Sequence, residues 1–301
     1  TPLIAETGGM NAMIVDSSAL TEQVVVDVLA SAFDSAGQRC SALRVLCLQD
    51  DVADHTLKML RGAMAECRMG NPGRLTTDIG PVIDAEAKAN IENHIQTMRA
   101  KGRPVFQAVR ENSEDAREWR TGTFVPPTLI ELASFDELKK EVFGPVLHVV
   151  RYNRNNLNEL VEQINASGYG LTLGVHTRID ETIAQVTGSA KVGNLYVNRN
   201  MVGAVVGVQP FGGEGLSGTG PKAGGPLYLY RLLANRPENA LGVTLARQDA
   251  DYPVDAQLKT VLTQPLEALI AWAEKRPELR AVAQQYGELA QAGTQRLLPG
   301  P

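Results

Sequence analysis

Short apolar runs alternate with helix-period segments along most of this chain, and no other feature limits its possible folds as much. The run "MNAMIVD" has the length of a strand, and from Thr21 onward the apolar residues recur at three- and four-residue steps. The same alternation predicts strands at 10–16, 44–49, 104–109, 123–131, 146–152, 171–177 and 193–198, and helices at 21 to about 37, 51–69, 84–101, 156–166, 180–190 and 224–234. Strands that alternate with helices are typical of an α/β fold, so we expect a largely parallel sheet.

The composition of the chain changes after about residue 235. The segment 235–301 is rich in Ala, Leu, Gln, Arg and Glu, which predicts a mainly helical extension with a short strand at 240–246. A length of 301 residues is typical of about two domains. We therefore predict an α/β domain at 1–234 and the start of a further C-terminal domain at 235–301. The opening "TPLIAETGG" has neither an initiator Met nor a signal-peptide pattern, so we expect the chain to be part of a longer protein.

Charge and cysteine usage exclude several classes of function. A net charge of −5 gives no reason to expect contact with nucleic acid or an anionic membrane, and no run of about 18 apolar residues occurs. The three cysteines, an odd number at irregular spacing, favour a reducing cytoplasm over a disulfide framework. The four histidines are far apart and no C-x-x-C is present, so no metal site is expected.

The stretch "GQRCS" places Cys40 in a glycine-led polar turn directly after the first predicted helix. A buried small hydrophobe or an incidental surface thiol would be the ordinary explanation of a free cysteine, whereas a polar loop also suits a nucleophilic thiolate. Cys47 lies in an apolar run and Cys67 in a helical pattern, so both are predicted to be packing residues. Arg39 is a candidate activator of Cys40, but a direct sequence neighbour usually points elsewhere in a turn, and we interpret it as structural.

The segment Gly213–Gly218 fits the pattern G-x-G-x-x-G of dinucleotide-binding loops. Such a loop needs a strand before it and a helix that begins within it. Pro210 stands shortly before the motif and Pro221 shortly after it, and "GTGPKAGG" is a poor first helical turn. We therefore predict a tight loop whose backbone closely approaches another group, and not a cofactor loop.

Four segments occur in a fixed order: "ETGG" (6–9), "GQRC" (37–40), "EVFGPV" (141–146), and "PFGG" followed by "SGTG" (210–220). In this order and spacing they resemble the aldehyde dehydrogenase superfamily, and the resemblance covers roughly residues 1–230. It implies the cysteine-bearing catalytic domain of that family, which has an α/β fold.

The resemblance also implies a reaction, namely the NAD-dependent oxidation of an aldehyde through a covalent thioester. Cys40 is implied as the nucleophile, a role that suits a thiolate because it is both a strong nucleophile and a good leaving group. Glu6 is implied as the base that activates water for thioester hydrolysis. Glu141 corresponds to the glutamate that binds the nicotinamide ribose, and Phe143 to the aromatic residue that packs near the nicotinamide.

A closer resemblance is to the aldehyde dehydrogenase part of the bacterial bifunctional enzymes that oxidise proline to glutamate through pyrroline-5-carboxylate. It is carried by Ser41 directly after the cysteine and by "NRNMVGAVVGVQPFGGEGLSGTGPKAGGPLYLYRLL" (198–233). The tail "RQDADYPVDAQLK" (247–259) is similar to the long form of these enzymes, which has an extra C-terminal domain.

This closer resemblance implies L-glutamate γ-semialdehyde as the substrate. Ser41 and the backbone of Gly203 and Ala204 would hold its α-carboxylate, since hydroxyl and backbone N–H groups bind carboxylates well. Phe211 would pack on the aliphatic stem. A glycine at 203 would leave the approach of the substrate unblocked.

The family resemblance also implies parts that have no counterpart in these 301 residues. The Rossmann domain that binds NAD, and an asparagine of the oxyanion hole, precede "ETGG" in the family. An FAD-dependent proline dehydrogenase part, and segments that bind DNA or membrane in some members, lie further upstream. We therefore expect this chain alone to lack dehydrogenase turnover, and we expect a homo-oligomer.

Two other classes of function stay open at this point. A cysteine hydrolase or acyltransferase would use Cys40 with a histidine base. His148, in "VLHVV", and His176, in "GVHT", are more typical of strand histidines than of bases. A non-catalytic oligomerisation unit is the third hypothesis.

Overall fold

The computed structural model describes residues 3–109, 121–205, 207–225, 227–233, 268–274, 276, 279–281 and 283–284. The chain divides into two compact units, Thr1–Arg231 and Leu232–Pro301. In the second unit, residues 268–274, 279–281, 283 and 284 are helical. The strand predicted at 240–246 lies outside the described residues.

A central sheet of seven strands forms the first unit. Its strands are β1 (Ala12–Val15), β2 (Val45–Gln49), β3 (Val105–Gln107), β4 (Thr128–Leu132), β5 (Val146–Tyr152), β7 (Thr172–His176) and β8 (Asn194–Val197). They lie in the order β3-β4-β5-β2-β1-β7-β8, and only the pair β3/β4 is antiparallel. The remaining strands, β6 (Tyr169–Gly170) and β9 (Glu214–Gly215), form a small antiparallel pair. The predicted α/β fold with a largely parallel sheet is confirmed.

Helices connect these strands. They are α1 (Thr21–Phe33), α2 (Asp50–Glu66), α3 (Ala85–Ala100), α4 (Leu157–Ala166), α5 (Asp180–Ser189) and α6 (Tyr228–Leu232), with short 3-10 turns at Asp34–Gly37, Phe135–Glu137 and Arg154–Asn156. Helix α1 buries Val24, Val28 and Ala32, which recur at four-residue steps on one face.

Three element boundaries differ most from the prediction, and the first two have a local backbone reason. Helix α1 ends at Phe33 and not near 37, because Ser35 and Ala36 have positive φ angles of 55° and 54°. Strand β4 begins at Thr128 and not at 123, since the two prolines at 126–127 have no N–H for a sheet ladder. Helix α6 begins only at Tyr228.

The core of the first unit lies on both faces of the central strands. Every residue of β1 and β2 is buried, as expected for parallel strands that are covered on both sides. Cys47, in the middle of β2, is fully buried, which confirms its predicted packing role, and burial raises the pKa of its thiol to about 12. Among the described helices, none is both long and apolar enough to cross a membrane.

Candidate active site

The candidate site residues meet at the amino-terminal edge of the parallel sheet. Glu6 precedes β1, Cys40 and Ser41 precede β2, and Glu141 and Phe143 precede β5. These three strands are neighbours in the order β5-β2-β1 and run parallel, so the segments that lead into them converge at one edge.

A buried arginine that the sequence did not single out organises the loop of Cys40. Arg44 is 0% exposed, and its guanidinium donates four hydrogen bonds and forms an ion pair with Glu141. Nη1 donates to the carbonyls of Gly37 (2.7 Å) and Gly144 (3.3 Å), and Nη2 to that of Arg39 (3.1 Å). Nε and Nη2 lie 3.0 Å and 2.9 Å from Glu141 Oε1. Arg44 therefore fixes the turn before Cys40 against the segment before β5.

The turn itself requires a glycine at position 37. Gly37 has a φ of +65°, a conformation that L side chains rarely adopt, and a Cβ there would overlap the carbonyl oxygen of Gly144. This explains the glycine that leads the "GQRCS" turn. Arg39 directs Nε to Ser35 Oγ, 3.0 Å away, within the same turn. The structural interpretation of Arg39 agrees with this contact.

The thiol of Cys40 is exposed and has two acidic neighbours. Its pKa is raised above the ordinary value, chiefly by partial burial and in smaller part by the Glu6 and Glu141 carboxylates. The backbone N–H groups of Cys40 and Ser41 act in the opposite direction, because they donate to the thiolate. The positive charge of Arg44 also lies within electrostatic range of the sulfur.

Asn11 ties the same loop to the sheet. Its Nδ2 donates to the carbonyls of Cys40 (2.6 Å) and Ala42 (2.9 Å), while its Oδ1 accepts from the backbone N–H of Thr172 (3.2 Å). Asn11 is 2% exposed, and all three contacts lie between β1, β2 and β7. Asn11 thus uses both hydrogens of its amide nitrogen and its amide oxygen to hold the loop of Cys40 against the sheet.

Glu6 is held by its backbone, and its side chain is exposed to solvent. The residue forms an antiparallel bridge with Gly218. On either side of it, Thr7 N donates to Ser217 O (3.1 Å) and Thr219 N donates to Ala5 O (3.0 Å). An exposed carboxylate on an anchored backbone, within electrostatic range of a thiol, can accept a proton from water close to that sulfur.

Glu141 and Phe143 both contact the guanidinium of Arg44. Glu141 Oε2 accepts from the backbone N–H of Gly9 (3.1 Å), in addition to the contacts of Oε1 with Arg44. A carboxylate has about four acceptor positions, so one stays available on Oε2. The guanidinium of Arg44 lies 5.0 Å from the ring centroid of Phe143, whose side chain is 45% exposed. The pair can therefore offer a ribose hydroxyl one acceptor and a planar ring an apolar surface.

The predicted carboxylate-binding residues lie on two loops. Ser41 is 7% exposed and follows Cys40 directly, whereas Gly203 is exposed and Ala204 is half-buried on the loop after β8. Gly203 has a φ of +82°, and a Cβ there would meet no atom within 4 Å. The positive φ by itself accounts for glycine at this position, and the approach of a substrate to its backbone stays a prediction.

The loop that follows β8 returns to the amino-terminal edge of the sheet, where Asn194, the first residue of β8, binds it. Asn194 Nδ2 donates to Pro210 O (2.9 Å) and its Oδ1 accepts from Gly212 N (3.3 Å), so the two neighbours of Phe211 are both held. Phe211 also exchanges two backbone hydrogen bonds with Ala223, of 2.9 Å and 2.8 Å.

Tyr196 is a second contact between β8 and this loop. Its hydroxyl accepts from Gln209 Nε2 at 2.9 Å, and the side chain is nearly fully buried. Burial raises the pKa of Tyr196, and the sulfur of Cys40 is a smaller contributor with the same sign. This phenol therefore lies within electrostatic range of the thiol, on the side of the loop that carries Phe211.

The glycine-rich segment Gly213–Gly218 does not start a helix. It forms β9 and a turn, and β9 pairs with β6. A Cβ on Gly213 would lie 2.8 Å from Gly170 O and 2.7 Å from Ser217 Cβ. The close approach predicted for this loop is therefore to the protein's own backbone, which agrees with its interpretation as something other than a Rossmann phosphate loop.

The two histidines of the hydrolase hypothesis do not serve as bases for Cys40 in this fold. Both ring nitrogens of His148 are occupied: Nδ1 donates to Arg44 O (3.1 Å), so Nε2 accepts from His94 Nε2 (2.9 Å). Full burial lowers the pKa of His148 to about 3. His176 is the last residue of β7 and is buried at the opposite, carboxyl-terminal edge of the sheet.

Comparisons with known proteins identify the family of this chain. The model of the aldehyde dehydrogenase family matches residues 1–234. The chain is 90% identical over 300 residues to the bifunctional protein PutA of Escherichia coli K12, covering 100% of this chain and 23% of that protein. The chain therefore spans less than a quarter of the length of that relative.

Two solved structures are similar in fold and sequence. A variant of Bradyrhizobium japonicum proline utilization A has a TM-score of 0.72 and 55% identity, over 76% of this chain and 23% of that chain. A 1-pyrroline-5-carboxylate dehydrogenase from Thermus with bound NAD has a TM-score of 0.68 and 35% identity, over 76% of this chain and 43% of that chain. Both resemblances inferred from the sequence motifs are thereby confirmed, and the chain belongs to the aldehyde dehydrogenase family of oxidoreductases.

Proposed function

We propose that this chain contributes the nucleophile and the aldehyde pocket for the NAD-dependent oxidation of L-glutamate γ-semialdehyde to L-glutamate, the second step of proline breakdown. The observation that carries the proposal is the convergence of three residues at one sheet edge, where Glu6 and Glu141 both lie within electrostatic range of the Cys40 sulfur. Similarity to PutA and to a 1-pyrroline-5-carboxylate dehydrogenase supports the choice of aldehyde.

In this reaction the Cys40 thiolate adds to the aldehyde carbon, and the carbonyl oxygen takes the negative charge. Bound NAD would supply a hydride acceptor for this carbon, so that the covalent adduct on Cys40 could be oxidised to a thioester. Glu6 takes a proton from water, the resulting hydroxide adds to the thioester carbonyl, and the Cys40 thiolate leaves as the carboxylate forms. The backbone N–H groups of Cys40 and Ser41 stabilise that leaving thiolate.

The residues of this chain fit the nicotinamide and ribose end of the cofactor. Glu141 retains one acceptor position for a ribose hydroxyl, and Phe143 offers a half-exposed ring. The segment Gly213–Gly218 is no phosphate cradle, because its glycines pack against the protein's own backbone. We therefore assign the pyrophosphate of NAD to a separate Rossmann domain, as the family resemblance implies.

The substrate pocket consists of Ser41 and the backbone of Gly203 and Ala204 for the α-carboxylate, with Phe211 beside the aliphatic stem. Two observations support this pocket: Asn194 binds the backbone on both sides of Phe211, and Ser41 is buried.

We place the reaction in the cytoplasm, because the three cysteines are free thiols. We further propose that the enzyme acts as a homo-oligomer, and that FAD belongs to a proline dehydrogenase part of a longer protein. The domain division at about residue 234 is likewise a proposal, with a further C-terminal domain beginning at 235–301.

The test is a comparison of two chains with pyrroline-5-carboxylate and NAD. A chain extended upstream by about 250 residues, enough for a Rossmann domain and its flanks, is expected to reduce NAD and to lose this activity in Cys40→Ala. The 301-residue chain alone is expected to show no turnover, since positioning of the cofactor is worth roughly 7–11 kcal/mol and a missing oxyanion donor about 3–4 kcal/mol.

Slow hydrolysis of an activated ester needs no cofactor, so the 301-residue chain is expected to retain it and Cys40→Ala to abolish it. Robust NAD reduction by the 301-residue chain would contradict the proposal and would make Gly213–Gly218 a candidate cofactor loop again.

A further inference from the structure

A single buried serine joins the two loops of the substrate pocket. Ser31 lies in the last turn of α1 and is 0% exposed. Its carbonyl oxygen accepts from the backbone N–H of Leu43 at 2.9 Å, and its hydroxyl oxygen accepts from the backbone N–H of Met201 at 3.0 Å. Leu43 is two residues beyond Ser41, and Met201 is two residues before Gly203.

The position of Ser31 explains why it can make both contacts. Carbonyl groups in the last turn of a helix have no partner within that helix, so the carbonyl of Ser31 is available to the loop of Cys40. Only the side chain is then left to reach the other loop. Met201 is fully buried, so its backbone N–H needs an acceptor close by, and the Ser31 hydroxyl supplies one.

We propose that Ser31 is a positioning residue for the α-carboxylate of the substrate: its hydroxyl holds the backbone of 201–204 at a fixed distance from Ser41, so that both loops bind one carboxylate. This inference rests on the proposed function, since it takes Ser41, Gly203 and Ala204 as the carboxylate ligands. Ser31 itself touches neither substrate nor sulfur. Its removal should therefore weaken recognition of the carboxylate and leave the reactivity of Cys40 in place.

The test uses protection of Cys40 from alkylation, which needs neither cofactor nor turnover. The 301-residue chain is treated briefly with iodoacetamide in increasing L-glutamate, the product, and the label on Cys40 is measured by peptide mass spectrometry. γ-Aminobutyrate, which lacks the α-carboxylate, is the comparison ligand. We expect glutamate to protect at lower concentration than γ-aminobutyrate.

In Ser31→Ala the half-protecting concentration of glutamate should rise by about fivefold to tenfold, the effect of one lost hydrogen bond. The protection by γ-aminobutyrate and the rate of alkylation without ligand should both stay within about twofold of the original chain. A general loss of structure would change all three. Amide hydrogen exchange at Met201 should also become faster, which reports the loss of the contact itself.

A matched control is Ser189→Ala, since Ser189 also lies in the last turn of a helix but is exposed, and its hydroxyl donates to Gln185 O within the same helix. The variant Ser41→Ala distinguishes a failure of the proposed role of Ser31 from a failure of the proposed carboxylate pocket. If Ser41→Ala weakens glutamate protection and Ser31→Ala does not, the inference is overturned and the proposed pocket stands. If glutamate fails to protect the original chain, or if Ser41→Ala has no effect, the proposed carboxylate pocket is wrong and the role of Ser31 falls with it.

Discussion

Replacing Arg44 with methionine is expected to lower the free energy of unfolding by about 4 kcal/mol or more. The substitution removes the cation from a buried ion pair whose partner Glu141 has a side chain only 12% exposed. Breaking such a pair from one side costs about 3–5 kcal/mol, because the remaining charge stays buried without its counterion. The carbonyls of Gly37, Arg39 and Gly144 lose their donors as well, at about 1–3 kcal/mol for each that water does not reach.

Two companion variants make the origin of this loss measurable. Arg44→Lys keeps the charge but has three donors in place of five, so it should cost less, about 2–3 kcal/mol. Glu141→Gln removes the charge that Arg44→Met leaves unpaired. In the double variant the loss should therefore be smaller than the sum of the two single losses, by about 2 kcal/mol.

The assay is urea unfolding followed by far-UV circular dichroism, with Arg103→Met as the control. Arg103 forms an ion pair of 2.8 Å with Glu137, similar in length to that of Arg44, but its side chain is 31% exposed. A partly exposed pair of this kind contributes about 1 kcal/mol or less. If Arg44→Met cost no more than Arg103→Met, or if the double variant were strictly additive, the assignment of Arg44 as the organiser of the Cys40 loop would be refuted.

Brief alkylation of the native chain should label Cys40 ahead of the other two cysteines, and peptide mass spectrometry that found equal label on Cys67 would contradict a reactive Cys40. Because the Glu6 carboxylate contributes to the raised pKa of Cys40, Glu6→Gln should move the pH dependence of this alkylation to lower pH; an unchanged profile would remove Glu6 from the vicinity of the sulfur. The pKa of His148 is lower in the folded chain than in the unfolded one, about 3 against about 6.5, so the unfolded chain binds the proton first and stability should fall as pH drops below about 6.5. The urea midpoint should be lower at pH 5 than at pH 7, and His148→Leu should weaken that dependence; equal slopes would argue against a neutral buried imidazole. Limited proteolysis should yield a stable fragment that ends near residue 234, and persistence of the uncut chain, under conditions that nick other loops, would argue against the proposed domain boundary.

The strands and helices of the first unit could be predicted because their apolar period is local. Strand β5 occupies the predicted 146–152, and the burial of Cys47 follows from an apolar run that needs no knowledge of its partners. The premature end of α1 could not be predicted in this way. Ser35 and Ala36 adopt positive φ angles that neither residue type favours, so the kink is imposed by the surrounding contacts and not by local propensity.

The residues that organise the site were missed for a similar reason. Asn11 and Ser31 stand within segments that already had a sufficient explanation as a strand and a helix, and only the folded chain shows that their side chains hold distant loops. Arg44 could have been noticed in the sequence, because a charged residue at the start of a buried apolar strand needs an oppositely charged or hydrogen-bonding partner. The sequence could not name that partner, because Glu141 is 97 residues away.

The position of Cys40, the proposed nucleophile, at the amino-terminal edge of the sheet has an electrostatic consequence. Ligands of open α/β sheets usually bind at the carboxyl edge, where helix N-termini favour anions. Here Cys40 follows the end of α1, and the Glu6 and Glu141 carboxylates lie within electrostatic range of its sulfur. Both carboxylates disfavour a thiolate. The guanidinium of Arg44 opposes them by binding the carbonyls that follow the helix, at Gly37 and Arg39, together with one of the two carboxylates. The Glu6 and Glu141 carboxylates would also repel a pyrophosphate at this edge, which agrees with the proposal that a separate domain binds the phosphates of NAD.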